Sequence, residues 1–371
     1  MADRSDGDAR LASGQAWIDF CEELKGAGAD LLRDAAPKSD VDLAEGHRYL
    51  TRMLRSAFEL IMEGGNPASP VLFRSLHETL KIGWDNPDNV HWNANLSGAY
   101  DYRIYGTRGD AHYMSFGVYA GSFGRGGRRT VAYVSADDLD VADDGSFEVV
   151  LSGREHEGNW IHIDPDASTL MIRQTFWDKP NEREAKLDIE RIHAKNPPPP
   201  LDPGFVASAF RRTTRYLRGT NKLFFDMSDM WKEKPNTFFP SDPVVAAQTQ
   251  GIPGMYYASG WWQCAPDAAL VLDVVPPKCR YWGFVLSNYW GESFEYRHRT
   301  VHNNKKTASY RPDGSVRWVI AHEDPELPNA NWLDTGGHDA GIWTIRWLEA
   351  ETHPHPDIRV MKLDEARALT G

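Results

Sequence analysis

Two blocks of short strand-like segments, separated by a proline run and one helical segment, constrain the fold of this chain most strongly. Within each block, runs of apolar and aromatic residues alternate with turn clusters, which is typical of β-sandwiches. The first block predicts strands at residues 100–105, 113–119, 130–134, 147–151, 160–163 and 170–176. The second predicts them at residues 270–275, 281–287, 293–298, 316–322 and 343–348. We therefore expect two packed β units.

Helical periodicity marks other segments. Within residues 43–62, apolar side chains recur every three or four positions, as they do on one face of an amphipathic helix. Residues 204–231 predict a second helix after the proline run. A shorter apolar stripe predicts a helix near the start of the chain: Trp17, Phe20, Cys21 and Leu24.

Together these patterns predict a mainly β protein with helical additions, in the α+β class. At 371 residues, the chain is longer than one hydrophobic core usually holds, which favours two units. We divide it into four segments: a helical cap at 1–80, a first antiparallel β-sandwich at 81–195, a proline-rich linker and helical connector at 196–235, and a second sandwich at 236–371.

The two blocks share one local sequence pattern. Segments 102–106 and 113–118 in the first block, and 271–275 and 281–286 in the second, each give a strand, a turn and an aromatic strand. A degenerate duplication would explain this likeness. Short β-hairpins often look alike, however, so both interpretations stay open.

Charge and composition argue against several functional classes. The net charge is −12 and the basic residues are scattered, so the positive surface expected of a nucleic-acid-binding protein is missing. No stretch approaches the roughly 20 apolar residues that cross a bilayer, and the first residues lack the apolar core of a signal peptide. Cys21, Cys264 and Cys279 show no CxxC spacing, which fits a reducing compartment. We expect a cytoplasmic protein that binds neither nucleic acid nor membranes.

Aromatic residues are abundant in this chain. There are 14 Trp, 14 Tyr and 15 Phe, and several are adjacent, as in Trp261-Trp262, Tyr281-Trp282 and Tyr289-Trp290. Large rings fill sandwich cores, and they also line pockets for apolar or sugar ligands. The sequence is compatible with both uses.

Several motifs resemble those of a known bacterial family. In the second half they are Ser287-Asn-Tyr-Trp-Gly-Glu-Ser, Tyr296-Arg-His-Arg, Pro312-Asp-Gly-Ser-Val, His322-Glu-Asp-Pro and Asn331-Trp-Leu-Asp-Thr-Gly-Gly-His. In the first half, the stretch from Lys81-Ile-Gly-Trp-Asp-Asn-Pro to Tyr113-Met-Ser-Phe is similar. These motifs resemble bacterial proteins that carry the domain of unknown function 1214, most specifically in the second half. The resemblance implies a jelly-roll-like sandwich, and it implies no particular reaction, cofactor or catalytic set.

Candidate catalytic residues lie in the last third of the chain. Glu292, Tyr296 and His298 follow an aromatic run, while Asp334 and His338 occupy a glycine-rich loop. A His titrates near neutral pH, and a carboxylate can orient it or act itself when burial raises its pKa. On a strand, Tyr296 and His298 would share one face. The alternative is structural, with Asp334 capping the glycine turn that follows it.

Candidate substrate-binding residues are aromatic, amide, acidic and guanidinium side chains: Tyr289, Trp290, Arg297, Asn331, Trp332, Asp85, Asp88, Arg103 and Arg173. Asp85 and Asp88 either fix a turn or project carboxylates into a cleft between the halves. Arg103 and Arg173 lie within apolar strand patterns, where a guanidinium must find a partner or reach solvent. Each is therefore a member of a structural ion pair or a clamp for an anion such as a substrate carboxylate.

Motifs for metals and cofactors are missing. No HExxH, GxSxG, Walker or Rossmann pattern occurs, and the glycine-rich residues 121–127 suit a hairpin loop. His353 and His355 alternate with prolines, which favours a surface loop over a metal site, and His156 with His162 is no more persuasive. We expect no metal and no cofactor.

These features favour an enzyme of small-molecule catabolism with a largely apolar or aromatic substrate in an aromatic-lined cleft. Its chemistry would be metal-independent proton transfer by carboxylate and His groups, as in a lyase, isomerase or hydrolase. One alternative is a carbohydrate-active or carbohydrate-binding protein, because Trp and Tyr faces stack on sugar rings. Another is a non-enzymatic assembly protein whose aromatic patches are subunit interfaces. A homo-oligomer stays open in each case.

Overall fold

The computed structural model describes residues 2–122, 127–194 and 198–369. Its helices are α1 (Ala2–Ala12), α2 (Gln15–Ala29), α3 (Asp40–Phe58, continued by a π-helical turn at Glu59–Glu63), α4 (Pro203–Lys232), α5 (Pro243–Gln248) and α6 (Leu363–Arg367). The predicted proline linker and the predicted loop at residues 121–127 lie partly outside the described residues.

The strands fall into two consecutive groups. In the first half they are β1 (Phe73–Leu76), β2 (Asn89–Asn95), β3 (Tyr102–Thr107), β4 (Tyr113–Ser122), β5 (Gly127–Ser135), β6 (Ser146–Ser152), β7 (Trp160–His162), β8 (Ala167–Thr175) and β9 (Lys186–Arg191). In the second half they are β10 (Phe239–Pro240), β11 (Met255–Gln263), β12 (Ala268–Val274), β13 (Tyr281–Ser287), β14 (His302–Asn304), β15 (Val316–Ala321), β16 (Asn331–Asp334), β17 (Ala340–Leu348) and β18 (Asp357–Lys362). The α+β class is therefore confirmed.

Each half contains a five-stranded and a four-stranded sheet. The orders are β1-β2-β8-β4-β5 and β7-β6-β3-β9 in the first half, and β10-β11-β17-β13-β14 and β16-β15-β12-β18 in the second. Strands β10 to β18 thus occupy, in the sheets of the second half, the same positions that β1 to β9 occupy in the first. The β3-β4 and β12-β13 segments, which share the local sequence pattern, occupy equivalent positions in the sheets, as a duplication would require.

Two details of the sheets differ from the sequence predictions. The sandwiches are not wholly antiparallel, because β6 pairs with β7, and β15 with β16, in parallel. Strand β1 belongs to the first sheet although it lies within residues 1–80, which we predicted to be a helical cap.

Residues 293–295 are irregular and residues 296–298 form a turn, so the strand predicted at 293–298 is wrong. Ser293 makes only an isolated bridge to Ser287. The carboxylate of Asp85 accepts hydrogen bonds from both the backbone N and the hydroxyl of Ser293, each at 2.8 Å. Glu295 accepts another from the backbone N of Arg297. These local side-chain bonds occupy backbone donors that a strand ladder would use.

The two sandwich cores differ in their aromatic content. The second core lies between its two sheets and includes Trp262, Trp282, Trp318, Trp343 and Trp347, all fully buried. The first core has the same position but is mainly aliphatic: Ile104, Phe116, Val118, Val149, Leu151, Leu170 and Ile172. The paired tryptophans of the sequence therefore serve as core residues.

A third core holds the helices against the second half. Tyr49 and Met53 of α3 and Phe225 of α4 pack around Trp290, which follows β13. Trp290 also donates from Nε1 to the Asp42 carbonyl at 2.8 Å. The indole can approach the helix because position 46 is a glycine, where a Cβ would lie 2.7 Å from Trp290 Cζ2. In the described ranges, every helix is too short or too polar to span a lipid bilayer.

We predict that Gly46→Ala lowers the stability of the protein. Overpacking a buried contact usually costs about 1–3 kcal/mol, more than the roughly 1 kcal/mol that Ala gains over Gly in a helix. The control is Gly28→Ala on α2, where a Cβ meets nothing within 4 Å. In thermal unfolding, the first variant should melt below the parent protein and the second at or above it. Equal stabilisation by both would show that Trp290 does not need the glycine.

Candidate functional site

Glu292, a predicted catalytic residue, lies buried against helix α3 and is paired with a cation. The Nη1 atom of Arg52 lies 2.5 Å from Glu292 Oε1, and Arg48 lies 3.8 Å from Oε2. Burial raises the pKa of Glu292, while the charge and hydrogen bond of Arg52 oppose this rise. The carboxylate is therefore one half of a buried ion pair.

His338 forms a second pair on the same side of α3. Its Nε2 lies 3.1 Å from Glu45 Oε2, and its ring stacks on Phe294 at a centroid distance of 4.6 Å. Burial disfavours the charged ring, but the hydrogen bond and charge of Glu45, aided by Asp42, outweigh it and raise the pKa of His338. Burial also opposes ionisation of Glu45, whose pKa is nevertheless lowered, chiefly by His338.

Asn288 joins these two pairs into one network. Its Nδ2 donates to Glu45 Oε2 at 2.8 Å and to Glu292 Oε2 at 3.3 Å. The structure thus brings Glu292 and His338 together, between α3 and the loops of the second half. Their charges are compensated by partners in the network, and neither side chain lines the central cavity described below. This network holds the helix on the sandwich.

Tyr296 and His298 lie on a turn, so the prediction that they share one strand face is wrong. His298 is exposed. Tyr296 is partly buried, with the ammonium of Lys81 4.3 Å from its ring centroid, and burial raises the pKa of the phenol. The two side chains do not form a site with the network of Glu292 and His338.

Asp334, Asn331 and Trp332 make structural hydrogen bonds. Asp334 Oδ1 accepts from the backbone N of Gly336 at 2.7 Å, which is the turn cap foreseen as the alternative, and Oδ2 pairs with Arg299 at 2.7 Å. Asn331 and Trp332 each donate to backbone carbonyls at 2.9 Å. These three side chains hold the loops of the second sandwich in place.

Three predicted substrate-binding residues also have structural contacts. The Tyr289 hydroxyl donates to Asp229 on α4 at 2.7 Å, and Trp290 bonds to the Asp42 carbonyl on α3. Both rings belong to the helix core. Arg297 pairs with the carboxylate two residues before it, at 2.7 Å on the exposed turn.

Asp85 and Asp88 connect the two halves, whereas Arg103 lies elsewhere. Asp85 accepts two hydrogen bonds from Ser293, and Asp88 accepts one from the Tyr281 hydroxyl at 2.6 Å. Both aspartates therefore fix contacts between halves, and Asp85 also lies in the wall of the central cavity. Arg103 pairs with two glutamates of neighbouring strands at 2.7 and 3.1 Å, on the outer face of the four-stranded sheet.

The central cavity, of about 200 Å³, lies between the outer faces of the two five-stranded sheets and helix α4. Strands β2 and β8 line it from the first half, and β11 and β17 from the second. The main lining residues are His91, Asn93, Met171 and Arg173 on the first sheet, Tyr257, Ser259, Thr344 and Arg346 on the second, and Tyr216, Thr220, Phe224 and Trp231 on α4.

Three buried arginines line this cavity, Arg128, Arg173 and Arg346, and the last two each bond to a backbone carbonyl of the opposite half. Arg173 donates from Nε to His91 Nε2 at 2.9 Å and from Nη2 to the Gln250 carbonyl at 2.8 Å. Arg346 donates from Nη2 to the Trp84 carbonyl. Both side chains are less than a tenth exposed, and no carboxylate in residues 2–122, 127–194 or 198–369 forms an ion pair with either. Burial lowers the pKa of Arg346, the nearby charges of Asp85 and Asp88 partly oppose this shift, and a guanidinium stays protonated at neutral pH.

The cavity wall contains buried hydrogen-bond donors without acceptors. They include the indole Nε1 of Trp84, Nδ1 of His91, the amide nitrogen of Gln250 and Nη1 of Arg346, considering only the described part of the chain. Because the Arg173 guanidinium can only donate, His91 Nε2 is the acceptor and Nδ1 carries the proton. Burial and the neighbouring arginines hold the pKa of His91 well below its usual value, so the ring is neutral. Buried donors are normally paired, so these groups are available to an acceptor that enters the cavity.

A metal site is not formed by the residues the structure describes, which contain no group of three or more His, Cys, Asp or Glu side chains suitably placed. His353 stacks on Tyr256 at 4.3 Å, and the Nε2 of His355 lies 2.7 Å from the hydroxyl of the same tyrosine. His162 pairs with Asp164.

Sequence reasoning selected Arg173 but missed His91 and Arg346 as site residues. The signal for Arg346 was present, because it interrupts an apolar strand just as Arg173 does. His91 gave no such signal, since the strand that contains it reads Asn-Val-His-Trp-Asn-Ala-Asn and carries polar residues that face the cavity.

Comparison with known proteins identifies the class of this protein. Residues 269–352 match the family model described as "Protein of unknown function (DUF1214)". An uncharacterized protein of known crystal structure from Burkholderia cenocepacia is 40% identical, with a TM-score of 0.93, over 96% of this chain and 99% of that chain. The VPA0106 protein from Vibrio parahaemolyticus is 9% identical with a TM-score of 0.48, over 85% of this chain and 98% of that one, too distant a likeness to support an argument. The comparison with curated proteins gave no match.

The chain belongs to the DUF1214 family, as its motifs predict. The match covers most of the second sandwich, from β12 past the end of β17. The Burkholderia cenocepacia structure extends the likeness over both halves.

We predict that His338→Gln lowers stability in a pH-dependent way. The pKa of His338 is raised in the folded protein, so its contribution is fully present below the unfolded pKa of about 6.5 and is lost as pH rises through the folded pKa. The variant should lose about 1–3 kcal/mol at pH 6 and less at pH 9, measured by urea denaturation.

His298→Gln, on the exposed turn, is the matched control and should match the parent protein at both pH values. An equal loss for His338→Gln at pH 6 and pH 9 would mean that the charge of the ring does not contribute to the network.

Proposed function

We propose that this protein is an enzyme of small-molecule catabolism that binds a small organic anion in the central cavity. The observation that carries the proposal is that two buried guanidiniums in the cavity wall, Arg173 and Arg346, form no ion pair with any carboxylate of the described residues. Asp85, the carboxylate in the wall, already accepts two hydrogen bonds from Ser293.

The free energy of the buried charges supports an anionic ligand. A buried cation is strongly destabilising unless it is paired, and backbone carbonyls supply only part of the compensation. A bound carboxylate would supply the missing charge and would also accept hydrogen bonds from the unpaired donors of Trp84 and Arg346. Apolar wall residues such as Phe224 and Met171 suit a ligand whose body is partly apolar.

His91 supports a reaction that moves a proton. A neutral imidazole in the cavity wall, whose Nδ1–H has no acceptor among the described residues, can donate a hydrogen bond to an oxygen that gains negative charge in the transition state. The adjacent Arg173 cation would stabilise the same charge. Lyase or isomerase chemistry next to a carboxylate suits this arrangement better than a reaction that depends on the exposed His298.

The two alternatives from the sequence have less support. A carbohydrate platform needs accessible aromatic faces, but Trp261 is only 7% exposed, and Trp262, Trp282 and Trp290 are fully buried. The same burial inside one chain weighs against an assembly role for these aromatic residues.

We predict that carboxylate binding depends on Arg173. In a thermal-shift screen, small carboxylic acids should raise the melting temperature by a few degrees, while the corresponding amides should not. Arg173→Gln should lower the affinity for the acid that binds best by at least about 30-fold, as measured by calorimetry. The substitution removes one partner of a buried charge pair.

The matched control is Arg103→Gln, which removes a strand guanidinium with glutamate partners on the outer face. It should leave the affinity unchanged. If acids and amides bind with the same affinity, or if both variants lower the affinity for the acid equally, the cavity is not the anion site and the proposal fails.

A further inference from the structure

The two cavity arginines occupy equivalent positions in the two halves. Arg173 on β8 lies opposite His91 of β2 and Ser115 of β4. Arg346 on β17 lies opposite Tyr257 of β11 and Gly283 of β13. Since β2, β8 and β4 correspond to β11, β17 and β13 in the repeated strand order, each half contributes one arginine from the same place.

The contacts of these arginines are exchanged between the halves. Arg173 of the first half donates to the carbonyl of Gln250, in the connection between β10 and β11. Arg346 of the second half donates to the carbonyl of Trp84, in the equivalent connection between β1 and β2. Both accepting residues adopt a left-handed backbone, with φ of 63° at Gln250 and 57° at Trp84. The cavity therefore has two similar ends, each formed by an arginine of one half and a backbone carbonyl of the other.

A left-handed conformation is costly for residues other than glycine and is concentrated at binding sites. At both ends of the cavity, the residue with this backbone conformation accepts a hydrogen bond from one guanidinium through its carbonyl. The contact directs each arginine along the boundary between the halves. Two of the cations in the cavity wall are thus held in place, one on each five-stranded sheet.

We propose that the ligand of this cavity is a small dicarboxylate, with one carboxylate at Arg173 and the other at Arg346. This inference rests on the proposed function and specifies its substrate class. Neither guanidinium forms an ion pair with a carboxylate of the described residues. A dicarboxylate supplies one carboxylate to each of them, whereas a monocarboxylate supplies only one. A volume of about 200 Å³ limits the acid to a short chain.

The two ends of the cavity differ in their other side chains, which gives the ligand a direction. His91, Asn93 and Met171 surround the Arg173 end, whereas their register equivalents at the Arg346 end are Tyr257, Ser259 and Thr344. Among the described residues that line the cavity, His91 is the only imidazole, so its unpaired N–H lies at the Arg173 end. An unsymmetrical dicarboxylate therefore binds with its reacting end beside His91.

The test compares ligands on the unmodified protein before any variant is made. Malonate, succinate, glutarate and adipate are titrated by calorimetry beside the monoamide of each acid, which keeps the length and removes one charge. The best dicarboxylate should bind at least about 30-fold more tightly than its monoamide. Binding should peak at one chain length, because the two arginines are held at fixed places.

Variants provide a second, independent measurement. Arg173→Gln and Arg346→Gln should each remove the advantage of the dicarboxylate over its monoamide, while Arg103→Gln keeps it. The ligand comparison still decides the matter if a cavity variant fails to fold.

The possible results separate the two proposals. If a monoamide binds as tightly as its diacid and still depends on Arg173, the dicarboxylate proposal is overturned and the anion site stands. If none of these acids binds, and the simple monocarboxylates of the earlier screen fail as well, both proposals are overturned.

Discussion

The two buried guanidiniums between the halves are the constraint on which the site depends. Arg173 and Arg346 each reach from their own five-stranded sheet to a backbone carbonyl of the opposite half. The hydrogen bonds that join the halves therefore also orient the two cations. Because carbonyl dipoles solvate a cation without neutralising it, the packing that joins the halves leaves two positive charges inside the molecule. An anionic ligand would supply the negative charge that these two cations lack.

The charged network under helix α3 has a different role. Glu292 and His338 resemble acid and base candidates, yet each has an opposite charge beside it, Arg52 in one case and Glu45 in the other. Compensated pairs of this kind can fix orientation, and neither side chain lines the central cavity. Residue type alone therefore suggested chemistry at a place where the contacts are structural.

Much of the secondary structure could be predicted, and the exceptions have a common cause. Strand β13 was predicted at its observed bounds, because all of its side chains are buried and its sequence is continuously apolar. Strand β2 was missed, since His91 and Asn93 face the polar cavity and break the apolar pattern. The segment at residues 293–298 was taken for a strand because its hydrogen bonds go to Asp85, more than two hundred residues earlier in the chain.

The sequence by itself determined the α+β class, the two strand-rich halves, the main helices and the family, because local periodicity and motifs carry that information. It also identified Arg173 as a guanidinium in need of a partner. Only the tertiary structure decided that Arg346 is its counterpart, that His91 lies beside it, and that Glu292, His338 and Asp334 are held by structural partners. Those relations depend on contacts between distant segments, and the spacing of residues along a chain does not encode which charges meet.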